Sequence, residues 1–253
     1  MNSDTARRLC DLNTEFYTAH AESFSASRQS PWPGWKECLR LLENELFSDR
    51  ADLSVLDLAC GNLRFEAFLR REYPELSIHY FAVDNCDELL PRDSEASYQN
   101  LDILDLLLKG QDLTTSIEAP LCNLALCFGF MHHIPLPGHR KAVLESLIKQ
   151  VRPGGYIIVT FWQFMKDEKL RNKALIVHEK ALAELKLPEL NTNDFLLDWN
   201  NLPGAYRYCH CFSDFDIDAL IADAAQEAQL VSRFISDGRG GTLNTYTVFQ
   251  RTN

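Results

Sequence analysis

No run of apolar residues in this 253-residue chain approaches the 18 or so needed to cross a membrane. The opening MNSDTARRLCDLNTEFY has no apolar stretch of signal-peptide length, so a cytoplasmic protein is expected. The eight cysteines, at 10, 38, 60, 86, 122, 127, 209 and 211, form no C-x-x-C pair. Several sit inside apolar runs, which fits reduced thiols better than a disulfide framework. Ten prolines and eleven glycines are scattered, with no low-complexity tract and no repeat. Positive charge is scarce as well: 25 Lys and Arg against 36 Asp and Glu leave a net charge of −11. Such a surface has no global attraction for nucleic acid, so any RNA role must rest on a local basic patch or a partner subunit.

What is present suits one folded α/β domain. The chain is 46% hydrophobic and 24% charged, and is long enough to bury a sizeable core. Thr14–Ser27 spaces Phe16, Ala19, His20 and Phe24 like a helix, Ser30-Pro31-Trp32-Pro33-Gly34 breaks it, and a second helix follows from about Trp35. An alternation then begins. Ser54–Ala59, Ser77–Val83, Tyr98–Leu101, Leu121–Phe128 and Tyr156–Phe161 read as strands, with helical stretches at Phe65–Glu72 and Gly138–Val151. Continuous apolar strands between helices indicate a parallel sheet covered on both faces. Arg152-Pro153-Gly154-Gly155 is read as the end of the second of those helices, and 163–211 shows no strong period. Ser213, with Asp216 three residues on, looks like a helix N-cap. Leu230–Ser236 and Leu243–Gln250, joined by a glycine-rich link, suggest an antiparallel hairpin.

The chemistry concentrates at strand ends. In VLDLACGNLRF a strand carries Asp57 near its end and enters a turn through Gly61, where glycine lets the backbone approach a ligand. Ala59 and Leu63 stand where a dinucleotide fingerprint would place further glycines. Asp84 closes the second strand, where an acid can hold both ribose hydroxyls in a bidentate grip, and Asp102 follows the third, where an acid can accept from an adenine amino group. Ligands in open α/β sheets bind at the carboxyl ends of the strands, so the three carboxylates converge on one edge.

In order, DLACGN, AVDN, NLDILD, LCFGFMHH and VRPGGYIIVTFW resemble the motif series of the class I S-adenosylmethionine-dependent methyltransferases over Leu53–Trp162. The resemblance implies a Rossmann-like, doubly wound, mostly parallel seven-stranded sheet with an antiparallel C-terminal hairpin, and S-adenosyl-L-methionine as cofactor. It places Asp57, Ala59, Cys60, Gly61 and Asn62 by the methionine part, Asp84 and Asn85 by the ribose, Asp102 and Ile103 by the adenine, and Cys127 and Phe128 under the sulfonium. The expected division is one domain over 1–253: an N-terminal helical lid (1–50), a cofactor core (51–162), a substrate-side insertion (163–212) and a C-terminal helix and hairpin (213–253).

The flanks NTEFYTAHAESFSASRQSPWPGW, MHHI, TFWQF and Arg207-Tyr208-Cys209-His210 resemble the tRNA wobble-uridine carboxyl methyltransferases, which esterify 5-carboxymethyluridine. The family's usual R-Y-Y-H is R-Y-C-H here, and its basic character is missing. A carboxylate is already anionic at pH 7, so such an enzyme must mainly orient it. Arg207 could clamp it bidentately, and Arg28 and Trp32 would close the pocket. Of His132 and His133, one could hydrogen-bond the acceptor or serve as base, while the other packs as a loop histidine. Cys209-His210-Cys211 alternates its side chains across an extended segment, so no metal site is expected. Lys166, Lys169, Arg171, Lys173 and Lys180 could meet phosphate, or form a solvated helix face. The alternatives are a methyltransferase for a small-molecule carboxylate or other O- or N-acceptor, and a non-catalytic scaffold of the same fold. Family relatives can require a small activator subunit, so the resemblance implies a possible partner of that kind.

Overall fold

The computed structural model describes residues 1–48, 51–91 and 94–252. The expected lid boundary at residue 50 and the final residue lie outside them. Five strands run parallel: β1 (Asp52–Leu58), β2 (Ser77–Asp84), β3 (Ser97–Asn100), β4 (Cys122–Cys127) and β5 (Val151–Trp162). The C-terminal hairpin of β8 (Ala228–Ser236) and β9 (Asn244–Arg251) completes a seven-stranded sheet in the order β3-β2-β1-β4-β5-β9-β8, with β9 antiparallel to β5. The expected mixed sheet is thus present. The strand order reverses between β1 and β4, which opens a crevice at their carboxyl ends.

Each central strand feeds two cores, because successive side chains point to opposite faces. Val55, Leu124 and Ile158 join Trp35, Cys38 and Leu42 of α2 (Pro33–Leu42) and Phe65, Phe68 and Leu69 of α3 (Arg64–Glu72). Their neighbours Leu56, Ala125 and Ile157 face the other layer, with Ile103 and Leu107 of α4 (Ile103–Leu108), Leu113 of α5 (Leu113–Ser116), Val143, Leu144 and Leu147 of α6 (Pro137–Lys149), and Ile217 and Leu220 of α8 (Asp214–Ala224). The Ser213 cap forms as expected: its hydroxyl receives the Asp216 N–H, and the Asp216 carboxylate receives the Ser213 N–H.

Several boundaries differ from the sequence reading. The first helix, α1, spans Ser3–Ala26, because Asn2 caps it through the Thr5 N–H at 2.8 Å. Strand β5 begins at Val151, so Arg152-Pro153-Gly154-Gly155 lies inside it, where the register against β4 shifts. A side chain at Gly155 would collide with Val151 and the Asn123 carbonyl. The segment after β5 is structured: α7 (Glu168–Leu185) is followed by the antiparallel pair β6 (Asp194–Asp198) and β7 (Tyr206–His210). Helix α7 escapes a periodicity search because only Ala174 and Ala181 on it are buried, while Leu175 and Ile176 face solvent. Strand β7 packs against α1 and is buried along its whole length.

Candidate active site

A cavity of about 360 Å³ opens over the carboxyl ends of β1, β2 and β4. At one end it is acidic. Asp57 is 3% exposed and accepts the Tyr80 hydroxyl at 2.7 Å. Burial pushes its carboxyl up to about 7, against the pull of that hydrogen bond. Asp84 accepts three backbone N–H groups: Gly61 at 2.8 Å on one oxygen, Asn85 at 2.9 Å and Cys86 at 3.0 Å on the other. A carboxylate offers about four lone-pair positions. Oδ2 of Asp84 therefore keeps an unshared lone-pair position, while Oδ1 already accepts two N–H groups. Asp102 caps α4 through the Asp105 N–H at 2.9 Å and accepts the Asn85 side chain at 3.0 Å.

The glycine turn is more glycine-like than its sequence. Ala59 (φ 61°) and Leu63 (φ 53°) both adopt left-handed backbone, as Gly61 does (φ 54°). For residues with a Cβ this costs on the order of 1–2 kcal/mol each, strain of the kind that concentrates at ligand sites. Open space surrounds the position a Cβ on Gly61 would take.

The other end is basic and aromatic. Arg207 on β7 is 7% exposed, with the Phe16, Trp199 and Trp162 rings 5.5, 5.6 and 5.8 Å from its guanidinium carbon. Arg28 lies 3.7 Å above Phe24 and 5.4 Å from the same Trp199. Neither is within ion-pair distance of a carboxylate among the described residues. Burial, and then the charge of Arg207, pull the Arg28 guanidinium down to about 10. Burial acts against the charge on Arg207 too, but Tyr17 and Cys209, and to a lesser extent the more distant Asp198, lift its pKa. Burial raises the pKa of both Tyr17 and Cys209, so at pH 7 they face Arg207 as neutral dipoles.

The two histidines separate by their partners. His133 Nδ1 lies 3.0 Å from the Tyr208 carbonyl and Nε2 lies 2.8 Å from the Tyr17 hydroxyl. Asn13 Nδ2 also lies 3.1 Å from Nδ1, but it has the Tyr208 carbonyl to donate to, whereas that carbonyl can only accept; the proton is therefore assigned to Nδ1 and the lone pair to Nε2. His132 lines the same cavity, yet its buried Nδ1 has no hydrogen-bond partner. Burial, then His133 and Arg207, hold the His132 pKa well below the usual range, and burial followed by Arg207 takes His133 to about 3. Both rings are neutral at pH 7.

The cavity wall collects Asp57, Ala59, Cys60, Gly61, Asn62, Asp84, Asn85, Asp102, Ile103, Phe128, His132, His133, Arg28 and Arg207 of the expected site residues. Cys127 is the exception. Its side chain is fully buried in the α4–α6 layer, because β4 turns Cys127 to that face and Phe128 to the other. Tyr17, Asn13, Trp162 and Asp237 also line the cavity and were not anticipated. Asn13, Tyr17 and Phe24 share one face of α1, so polar residues on an otherwise buried helical stripe were the available signal.

The donor atoms of His132, His133 and Cys209 lie within 4.8 Å of one another. Burial first, and then the charges of Arg207 and Arg28, depress the protonation of both histidines, and the same two arginines would repel a metal cation.

No protein-family model matches the chain. A mouse (Mus musculus) tRNA (carboxymethyluridine(34)-5-O)-methyltransferase is 24% identical over 188 residues, covering 73% of this chain and 25% of the relative. The chain thus spans about a quarter of that relative's length. Among solved structures, a SAM-dependent methyltransferase from Methanosarcina mazei superposes with a TM-score of 0.57 at 15% identity, covering 84% of this chain and 97% of the other. The N-methyltransferase NodS from Bradyrhizobium japonicum, solved with S-adenosyl-L-homocysteine, gives 0.52 at 13% identity, covering 93% and 98%. The fold is that of the class I S-adenosylmethionine-dependent methyltransferases. In sequence, the chain resembles the tRNA carboxymethyluridine methyltransferases.

Proposed function

We propose that this chain is an S-adenosylmethionine-dependent methyltransferase that esterifies a carboxylate, with 5-carboxymethyluridine at the tRNA wobble position as acceptor. The observation that carries the reading is the division of one cavity into an acidic end and an end holding two arginines that have no carboxylate within ion-pair distance among the described residues. The residues fit the cofactor. Asp57, Asp84 and Asp102 offer anionic acceptors to an ammonium group, a ribose and an adenine amino group, and the turn at Gly61 leaves open space for it. Bound there, the cofactor would supply an electrophilic methyl group.

The protein's own work is orientation and exclusion of water. Arg207 and Arg28 would hold the acceptor carboxylate through charge-assisted hydrogen bonds. Among the described residues neither has an ion-paired carboxylate to release first. His132, neutral and on the cavity wall, would hydrogen-bond the acceptor, and no proton need be removed because a carboxylate is already ionised. Trp32 and Trp162 wall the cavity. The N-terminal helices would serve as its lid and α7 with β6–β7 as its acceptor side.

A specific observation favours the second reading, a small-molecule carboxylate. Of the five basic residues of the α7 region, Lys166 pairs with Asp214, Lys173 with Asp198 and Lys180 with Glu184, which leaves only Lys169 and Arg171 without a carboxylate partner among the described residues and makes a weak phosphate patch. Under the tRNA reading, the phosphate-binding surface would come from a partner such as a small activator subunit. No helix among the described residues is long and apolar enough to cross a membrane. Eight unpaired cysteines fit a reducing cytoplasm.

The test is transfer of a radiolabelled methyl group to tRNA carrying 5-carboxymethyluridine, with and without the candidate partner, beside a panel of small carboxylic acids. Base-labile label in tRNA supports the leading reading. Label confined to a small acid moves the assignment to the second. Absence of cofactor binding by calorimetry removes both.

A further inference from the structure

The Arg207 guanidinium would have to be aimed at a carboxylate with no acid among the described residues within ion-pair distance to aim it. We propose that the Tyr17 hydroxyl is the positioning group for Arg207, and that it orients this cation while leaving its charge available. This rests on the carboxylate acceptor proposed above.

The geometry runs in one chain. The Tyr208 carbonyl, 3.0 Å from His133 Nδ1, holds the proton on that nitrogen. His133 Nε2 is then an acceptor, and the Tyr17 hydroxyl donates to it at 2.8 Å. With its hydrogen committed, the phenol oxygen turns its lone pairs outward, and Arg207 Nη1 donates to it at 3.4 Å. The ring cannot swing away: Phe16, Phe24 and His133 meet it edge to face at centroid distances of 5.1, 5.0 and 5.4 Å. Helix α1 is itself pinned beside Arg207. Asn13 accepts the Tyr208 N–H at 2.7 Å and donates to the Tyr208 carbonyl at 3.1 Å, as a neighbouring strand would.

A carboxylate in place of Tyr17 would hold Arg207 more strongly but would neutralise it. Burial keeps the phenol protonated far above neutral pH, so it provides direction alone. With no carboxylate within ion-pair distance among the described residues, the charge of Arg207 stays available on the cavity wall for an incoming anion. His133 then belongs to the positioning apparatus and His132 to the acceptor side.

The experiment titrates the nucleoside 5-carboxymethyluridine and its methyl ester separately into protein holding S-adenosylhomocysteine, for wild type and Tyr17→Phe. Binding is read from tryptophan fluorescence and checked by calorimetry. Wild type should prefer the acid over the ester by about tenfold or more, as expected for a charge-assisted contact. Tyr17→Phe should lose most of that preference by weakening the acid alone, while its S-adenosylhomocysteine affinity stays unchanged. Equal weakening of acid and ester would make Tyr17 a packing residue and overturn the proposal, and so would an unchanged preference. A wild type that does not favour the acid would refute the carboxylate reading itself, and the role of Tyr17 with it.

Discussion

Replacing Arg207 with methionine should stabilise the ligand-free protein while abolishing its use of an acceptor. Arg207 is 93% removed from solvent by exposure, 7% remaining, and has no carboxylate within ion-pair distance among the described residues. Burying a charge costs several kcal/mol even after relaxation. Against this stand three ring faces at 5.5 to 5.8 Å, worth about 0.5–1 kcal/mol each. The single hydrogen bond, to Tyr17 at 3.4 Å, adds about 0.5–1 kcal/mol. The side-chain contacts thus return about 2–4 kcal/mol, short of the desolvation cost. Methionine keeps the length of the stem and packs against the same rings. Its replacement also relieves the repulsion that lowers the Arg28 pKa. A net gain of about 1 kcal/mol is expected, within the range seen when buried charges give way to apolar side chains. For a chain of this size that raises the melting temperature by about 2–4 °C. The assay is thermal unfolding of the cofactor-free protein in low salt without multivalent anions. Added acetate should raise the wild-type midpoint and leave that of the variant unmoved. A variant that melts several degrees below wild type would show that Arg207 is compensated by the fold, and would refute the idea of a cation held ready for an anion.

Three other outcomes follow from the site. Asp57, raised to about 7 by burial, carries a proton below that pH in the ligand-free protein. Affinity for a cationic cofactor should therefore rise with pH, by at most about tenfold per unit, and level off above neutrality; calorimetry showing a flat profile from acid to neutral would contradict it. By the same linkage Asp57 lowers the stability of the free protein as pH climbs from the ordinary carboxylate value towards 7, and Asp57→Asn should remove that slope. The two histidines should part company: His132→Ala loses turnover with an unchanged melting point, whereas His133→Ala, which strips partners from Tyr17 and the Tyr208 carbonyl, loses about 1–3 kcal/mol of stability in denaturant titrations. Gly34→Ala should lower stability by about 1–3 kcal/mol, because the added methyl would overlap the buried Tyr246 ring; a midpoint equal to wild type would mean that α2 shifts freely. That shift is opposed by the Gly34 N–H donating to Asp237 at 3.0 Å.

Much of the cofactor half was legible because its signals are local. A strand, its terminal acid and the following turn occupy about ten consecutive residues, and Asp57, Asp84 and Asp102 reach one edge as soon as the strands are parallel. The Ser213 cap is equally local, with both partners within three residues. Where a strand is buried on both faces, its sequence shows no alternation. That is why Cys127 was assigned to the cavity although its side chain enters the opposite core. The insertion stayed opaque for a related reason. Helix α7 buries two alanines and exposes Leu175 and Ile176, so its hydrophobic pattern does not report which side faces the protein.

By itself the sequence determined the order of the seven main-sheet strands and of helices α1, α2, α3, α6 and α8, the acids at the strand ends and a glycine turn at Gly61, all consequences of side-chain period and backbone freedom within short segments. It did not determine that Ala59 and Leu63 would take glycine-like backbone, since only the packing of the surrounding turn stabilises that strain. Nor did it separate His132 from His133. That distinction depends on Tyr17 and Tyr208, which lie 116 and 75 residues away from His133 in sequence. The neutrality of both rings, and the lack of a carboxylate within ion-pair distance of Arg28 and Arg207 among the described residues, likewise come from the tertiary structure. Charge and protonation follow from what burial removes and what distant segments bring into contact.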